Sequence, residues 1–376
     1  MIPFNKPYLH GKELVYIAQA VASGKISGDG VFTKKCHDFF EQRYGFKKVL
    51  MTTSCTDALE MAAILLDIQP GDEVIAPSYT FVSTVNAFAL RGANIIFADS
   101  YPDHPNIDPV QIAKLITPKT KAIVVVHYAG IACDMDAIMA ISKQHNIPVV
   151  EDAAQAIDSY YKGKPLGSIG TFGTFSFHET KNIIAGEGGL LVINDEQYIH
   201  RAEIIREKGT NRSSFFRGEV AKYGWVDIGS SFLPSDIIAA YLNAQLESID
   251  AIQEKRKAIW QRYYGRLSQV LTGSGIELPS VAVYSTNNAH MFYLVCESLE
   301  QRSALIQFLK DNGIHAVFHY LSLHQSEYYL SKYRGSDLPN SDRFTDTLIR
   351  LPLFYELTDE QVDYVCNMIF NFVKTL

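Results

Sequence analysis

No stretch of the 376-residue sequence approaches the ~20 consecutive apolar residues that cross a bilayer, so no membrane-spanning helix is expected. The opening residues, Met1 to Pro7, lack the basic start and apolar run of a secretory leader, and the expectation is a cytoplasmic protein. Cysteine is scarce. The five present, Cys36, Cys55, Cys133, Cys296 and Cys366, are an odd number without a Cys-x-x-Cys pair, which fits neither a disulfide framework nor a zinc knuckle and leaves reduced thiols. The 11 histidines show no His-x-x-x-His spacing, and no metal is predicted. Long basic runs are missing too. With 34 basic against 41 acidic side chains and a formal charge of -7, no stripe could neutralise a phosphate backbone, and nucleic acid is not an expected partner. Gly186-Glu187-Gly188-Gly189 does not open a helix after a strand, so a nicotinamide dinucleotide is not expected either.

What the sequence does hold is apolar mass: 47% hydrophobic residues and 12% aromatics, enough at this length for a large domain and a smaller one. No internal repeat interrupts it. β-branched runs at Val49–Thr52, Glu73–Pro77, Asn94–Asp99, Ala122–His127 and Pro148–Glu151 alternate with helix-period stretches at Thr56–Leu66, Thr84–Arg91 and Met135–His145. That alternation predicts an α/β domain with a mostly parallel sheet covered on both faces. Further strands are expected at Thr171–Phe177 and Gly189–Asn194, followed by one long amphipathic helix from about Ser235 to Leu267 that leads out of the domain. Strands at Gly275–Leu278, His290–Cys296 and Ile314–Phe318, with helices at Leu299–Asn312 and Asp359–Val373, predict a smaller α+β domain. The expected division is 1–250 and 251–376.

Three motifs carry chemistry. Glu151-Asp152-Ala153-Ala154-Gln155 closes a buried strand at its carboxyl end, where open α/β sheets bind ligands. Phe175-Ser176-Phe177-His178-Glu179-Thr180-Lys181-Asn182 is an aromatic strand ending in a lysine. A lysine can form a Schiff base with an aldehyde, and a carboxylate beside a pyridine nitrogen keeps that nitrogen protonated. Those are the two requirements of pyridoxal phosphate chemistry. Either motif alone fits a loop-capping carboxylate or a solvated lysine better. Thirdly, Thr52-Thr53-Ser54-Cys55-Thr56-Asp57-Ala58-Leu59-Glu60 runs from a strand into a helix whose first amides could hold a phosphate, or whose Ser54 or Thr56 is an ordinary N-cap.

These motifs, in their order along the chain and with Pro77-Ser78-Tyr79-Thr80-Phe81 between the third and the first, resemble the DegT/DnrJ/EryC1/StrS family of sugar-nucleotide aminotransferases. The similarity extends from Pro3-Phe4 through Ser23-Gly24-Lys25 and Gly71-Asp72-Glu73-Val74-Ile75 to His319-Tyr320. It implies the aspartate aminotransferase-like fold type I and pyridoxal 5'-phosphate as cofactor. Phe177-His178-Glu179-Thr180-Lys181-Asn182 and Arg206-Glu207-Lys208-Gly209-Thr210-Asn211-Arg212 are most like members that aminate a dTDP-linked 4-keto-6-deoxy sugar, with glutamate as donor. A 3-keto isomer, another nucleotide, or a regulator that binds the cofactor without turnover remain open at this level.

By the same resemblance Lys181 holds the cofactor, Asp152 meets the pyridine nitrogen, and Gln155 neighbours the ring hydroxyl. Cys55, Thr56 and Ser176 take the phosphate, and Phe81 stacks on the ring. Two positions depart from the family: Cys55 stands where glycine is usual, and Ser231 where many members carry an asparagine that reaches the phosphate of the neighbouring subunit. A serine reaches less far, so a direct contact and a water bridge are both consistent. Arg212, on a loop of cations and aromatics, suits a nucleotide diphosphate equally as it suits water. His319 and Tyr320 resemble substrate-lining positions, expected from the partner chain of a homodimer with shared active sites.

Overall fold

The computed structural model describes residues 1–375. Seven strands form the main sheet: β1 (Lys48–Thr52), β2 (Glu73–Pro77), β3 (Asn94–Ala98), β4 (Thr120–Val126), β5 (Val149–Asp152), β8 (Phe172–Ser176) and β9 (Gly189–Ile193). A two-residue hairpin, β6 (Tyr160–Tyr161) and β7 (Lys164–Pro165), lies between β5 and β8. The spatial order is β1-β9-β8-β5-β4-β2-β3. All neighbours are parallel except at β9, which runs against both β1 and β8. This is the expected α/β layer with a mostly parallel sheet.

Side-chain alternation splits each strand between two cores. On β4, Ile123 and Val125 pack with the helices Val31–Tyr44 and Asp236–Leu246, while Ala122 and Val124 pack with the helix Cys55–Leu65 on the other face. Near-continuous apolar strands are what burial on both faces demands.

The smaller unit is an antiparallel sheet of β10 (Phe292–Val295), β12 (Leu348–Leu351) and β11 (Val317–Phe318), backed by the helices Leu299–Asp311 and Asp359–Val373. The helix Ile249–Leu267 joins the two cores, giving Ile249 and Ile252 to the first and Ile259, Tyr263 and Leu267 to the second. The chain's start belongs here too: Ile2 packs in this core, donates to Gly313 O at 2.7 Å and accepts from His315 N at 3.0 Å. Among the described residues no helix is long and apolar enough to cross a membrane.

Three expectations need correction. The single helix from Ser235 to Leu267 is two, Asp236–Leu246 and Ile249–Leu267, because Ser248 leaves helical geometry at φ -115° and ψ 10°. The apolar stripe of Leu246, Ile249 and Ile252 continues across the break into one core, so periodicity conceals it. Gly275–Leu278 is not a strand; it makes one bridge, Glu277 to Val295. Ile314–Phe318 shortens to Val317–Phe318.

One partly buried contact ties stability to pH. His37 accepts the Met51 amide through Nε2 at 3.0 Å and must be unprotonated to do so. Burial, then the nearby Arg206 charge, pushes its pKa down to about 3 from 6.5. Between those values the unfolded chain binds the extra proton, so the His37 contribution is complete above pH 6.5 and is lost as pH falls toward 3. The loss is about 1.4 kcal/mol per pH unit. Melting temperature should therefore fall from pH 6.5 to 5 more steeply in the wild type than in His37→Gln, whose amide oxygen can accept the same N–H. Parallel curves would remove His37 as the cause.

Candidate functional site

The carboxyl ends of β4, β5 and β8 open into a cavity of about 420 Å³. Cys55, Thr56, Phe81, Asp152, Gln155, Ser176, Lys181, His319 and Tyr320 all line it, so nine of the residues singled out in the sequence meet at one place within one chain.

At one end, the helix Cys55–Leu65 starts at the cavity wall. Its N-cap Ser54 accepts the Asp57 amide at 3.1 Å, and the first intrahelical bond is Ala58 N to Ser54 O at 3.2 Å. The amides of Cys55 and Thr56 precede that bond and are the orphan donors of a helix start. Gly189 makes the close approach possible, since a Cβ there would collide with the Ser54 backbone and the Cys55 nitrogen. Thr56 Oγ1 donates to Ser83 Oγ at 2.8 Å, adding hydroxyls to the same corner.

In the centre, Asp152 ends β5 and is 5% exposed. Its Oδ2 accepts from Thr84 Oγ1 at 2.7 Å and its Oδ1 from the Ala154 amide at 3.1 Å. Burial raises its pKa, against the pull of those two bonds and of the Lys181 charge. Its neighbour Glu151 points away and is saturated, by the amides of Gly167, Ile169 and Gly170 at 2.6–2.8 Å and by His127 Nε2 at 2.9 Å. Glu151 thereby fixes the loop that enters β8, while Asp152 keeps capacity for a cation. Lys181 follows β8 in the turn where its own amide donates to His178 O at 2.9 Å. Burial lowers its pKa despite Cys55 and Asp152, which favours the neutral, nucleophilic amine.

The mouth is aromatic. Phe81 is 55% exposed, with its ring centroid 6.0 Å from that of Tyr320. Gln155 accepts the Ala129 amide at 2.7 Å and donates to Tyr320 Oη at 3.2 Å. His319 Nδ1 is 3.0 Å from Tyr128 Oη. These bonds hold His319 and Tyr320 at the cavity of their own chain, where the expectation had them reach a partner's. The segment is held there by Leu323 N to Ser78 O at 3.0 Å and by His324 Nδ1 against Ser78 Oγ at 2.8 Å.

Arg212 and Ser231 lie elsewhere. They line a second cavity of about 330 Å³ together with Lys25 and Lys208. The Arg212 guanidinium rests over the Phe216 ring at 5.2 Å. Two contacts escaped the sequence reading. Thr84, which orients Asp152, follows Thr80 by four residues and shares a hydroxyl contact with it, and that pair flanking Phe81 was the available signal. Tyr128 follows β4, the strand next to β5, so its place at the same sheet edge was inferable from topology.

The arrangement suits a phosphorylated, aldehyde-bearing pyridine: donor amides for the phosphate, a buried carboxylate for the ring nitrogen, and an amine for the aldehyde. Among the described residues no cluster of His, Cys, Asp or Glu could hold a metal ion. Comparison with known proteins agrees with the cofactor's chemistry. The DegT/DnrJ/EryC1/StrS aminotransferase family matches residues 7–370. The chain is similar to Spr1654 from Streptococcus pneumoniae, assigned as a sugar aminotransferase: in its PMP form identity is 28%, each chain is covered 100%, and the TM-score is 0.92. The PLP form gives 29% identity, 100% and 99% coverage, and a TM-score of 0.90. The aminotransferase TlmJ from Streptoalloteichus hindustanus is 29% identical, with 100% and 99% coverage and a TM-score of 0.91.

Proposed function

Because the chain belongs to the DegT/DnrJ/EryC1/StrS aminotransferase family, we propose that it moves an amino group from L-glutamate to C4 of dTDP-4-keto-6-deoxy-D-glucose. The product would be dTDP-4-amino-4,6-dideoxy-D-galactose, a deoxyamino sugar for surface polysaccharide. The observation that carries the reading is the single cavity in which Lys181, Asp152 and the Cys55–Thr56 amides converge. The choice of sugar rests on the resemblance of the Lys181 and Arg206–Arg212 segments to the dTDP-4-amino-4,6-dideoxygalactose transaminase of enterobacterial common antigen synthesis. Residues 1–250 would form the cofactor domain and 251–376 the smaller one, in a cytoplasmic homodimer.

Pyridoxal 5'-phosphate is the cofactor; when bound, it supplies a ring that accepts the electrons freed at the carbon bearing the amino group. The amides of Cys55 and Thr56 and the Ser176 hydroxyl would hold its phosphate, Phe81 and Gln155 its ring. Asp152, kept in place by Thr84 and Ala154, would face the ring nitrogen as an ionised carboxylate. The Lys181 amine, made less basic by burial, would take a proton from the donor α-carbon at Nζ and return it on the other side of the transfer. Tyr320, anchored by Gln155, would seat the acceptor sugar.

The test follows cofactor absorbance on adding L-glutamate, then adds 4-keto and 3-keto sugar nucleotides and identifies the amine formed. Conversion by glutamate and recovery with the dTDP-linked 4-keto sugar is the expected result. Recovery only with a 3-keto isomer would move the amination site, and no response to glutamate would leave a cofactor-binding regulator.

A further inference from the structure

The residue after Lys181 is a buried amide with every bond made. Asn182 donates through Nδ2 to Gln253 Oε1 and to Asn288 O, both at 2.8 Å, and its Oδ1 lies 2.9 Å from His290 Nδ1. With both amide protons committed to acceptors, Asn182 can only accept from His290, so the imidazole proton sits on Nδ1. Burial, then the Lys181 charge, keeps that ring neutral.

Asn288 reaches the other way. Its Nδ2 donates to the main-chain oxygens of Gln155 and Ile157, both at 2.8 Å, and its Oδ1 accepts the His290 amide at 3.0 Å. Gly130 leaves the space, since a Cβ there would collide with Asn288 Oδ1. Arg256, on the helix that joins the two cores, donates to Ala289 O at 3.1 Å and His290 O at 2.8 Å. Between Asn288 and His290, Ala289 is held at φ 52°. A residue with a Cβ enters that left-handed region at a cost and keeps it only where its surroundings fix it.

The network grips the cofactor cavity from behind. Lys181 and Gln155 line that cavity, whereas Asn182, Asn288 and His290 do not. The segment from Asn288 to His290 leads into β10, so the smaller unit is tied to both sides of the site. Apolar surfaces tolerate sliding, but buried amides must meet their partners one to one, and a satisfied network of this kind specifies a single placement.

We propose that Asn182, Asn288 and His290 are positioning residues for transamination: by bonding the Lys181 turn and the Gln155 main chain to the smaller unit, they hold the Lys181 amine where it moves the proton. The inference rests on the aminotransferase reading above. The three residues act through Lys181 and touch no substrate. A displacement of the amine by about 1 Å is enough to cost up to about 100-fold in rate.

Two readouts on the full-length chain test it. Hydrogen exchange followed by mass spectrometry, before cofactor is added, reports the turn directly. In His290→Leu, which removes the proton that Asn182 accepts, residues 179–184 should exchange faster while β2 and β3 stay protected as in the wild type. With pyridoxal phosphate bound, the single-turnover rate constant with L-glutamate counts only loaded chains. It should fall about 10–100-fold in His290→Leu, with half-saturation changed less than about twofold. His290→Asn, whose Nδ2 can stand in for Nδ1, should stay within about threefold of wild type. Should His290→Leu fail to fold, Asn182→Ser, which keeps one hydroxyl donor, should show the same two changes to a smaller degree. A fall in amplitude or melting temperature with the rate constant intact would make the network purely structural and overturn the proposal, and so would unaltered exchange at residues 179–184. A wild type that does not respond to glutamate would overturn the aminotransferase reading and the catalytic role with it. The exchange readout, which needs no substrate, would still decide the tie to the Lys181 turn.

Discussion

Lys181→Ala should abolish transamination while the protein stays folded and melts close to wild type. The side chain lines the cavity, and burial penalises its charge, so its removal relieves desolvation and breaks no packing. Losing the proton carrier alone is worth on the order of 10²–10⁴-fold, and losing the cofactor's attachment adds to it. The measurement that separates this from misfolding is intact mass after borohydride reduction. Wild type should gain one reduced cofactor per chain, and Lys181→Ala none. A reduced cofactor still on the variant chain would assign the attachment to another lysine. Partial rescue of turnover by added methylamine would support the lysine's role as an amine rather than as packing.

The fold was legible where two independent signals agree. Glu73–Pro77, Met135–His145 and Asp359–Val373 match their expected bounds. The two helices are fixed by Asp134, which accepts the Ala137 amide, and by a capping box of Thr358 and Gln361. The losses occurred where the apolar pattern and the backbone part company. At Ser248 a break in geometry leaves the buried stripe intact. β12 was not read as a strand at all, because its four residues follow the helix Pro339–Thr347 without an intervening turn and carry an arginine in the middle. It is nevertheless the central strand of its sheet.

The site was legible as motifs on strand ends, because strands of a parallel sheet deliver their carboxyl ends to one edge. That logic brings Asp152, Ser176 and the Thr52–Cys55 turn together from sequence order alone. It does not extend to the segment from His319 to His324, which reaches the edge through the bridge of Tyr79 with Ser322, a contact between residues far apart in the chain. Nothing local marks whether such a segment crosses to its own cavity or to a neighbour's. Thr84 and His290 escaped for a related reason: each makes a contact fixed by tertiary packing, with no motif around it.

The placement of His319 and Tyr320 reverses one expectation about mixed dimers and sharpens another. If Lys181 and Tyr320 belong to one cavity, a Lys181→Ala chain mixed with a Tyr320→Phe chain leaves every site with a defect. Activity should stay at the parental level. Arg212 and Ser231 line a cavity that Lys181 does not, and under the shared-site proposal they complete the neighbour's cavity. Under the same proposal Arg212→Glu reverses a charge that would face the nucleotide diphosphate, which should cost tenfold or more in kcat/KM, from a charged hydrogen bond of about 1.5–3 kcal/mol. Mixed with Lys181→Ala, it should regain activity: one site of the heterodimer carries both defects and the other carries none. Random pairing makes half the dimers mixed, so recovery should approach roughly a quarter of wild type when sites act independently. Native mass spectrometry establishes that subunits have exchanged. Recovery in the Arg212 mixture and none in the Tyr320 mixture is the result that the shared-site proposal predicts. Recovery in the Tyr320 mixture would mean that the C-terminal segment crosses between subunits after all. Recovery in neither would place Arg212 outside the catalytic unit and leave each chain complete by itself.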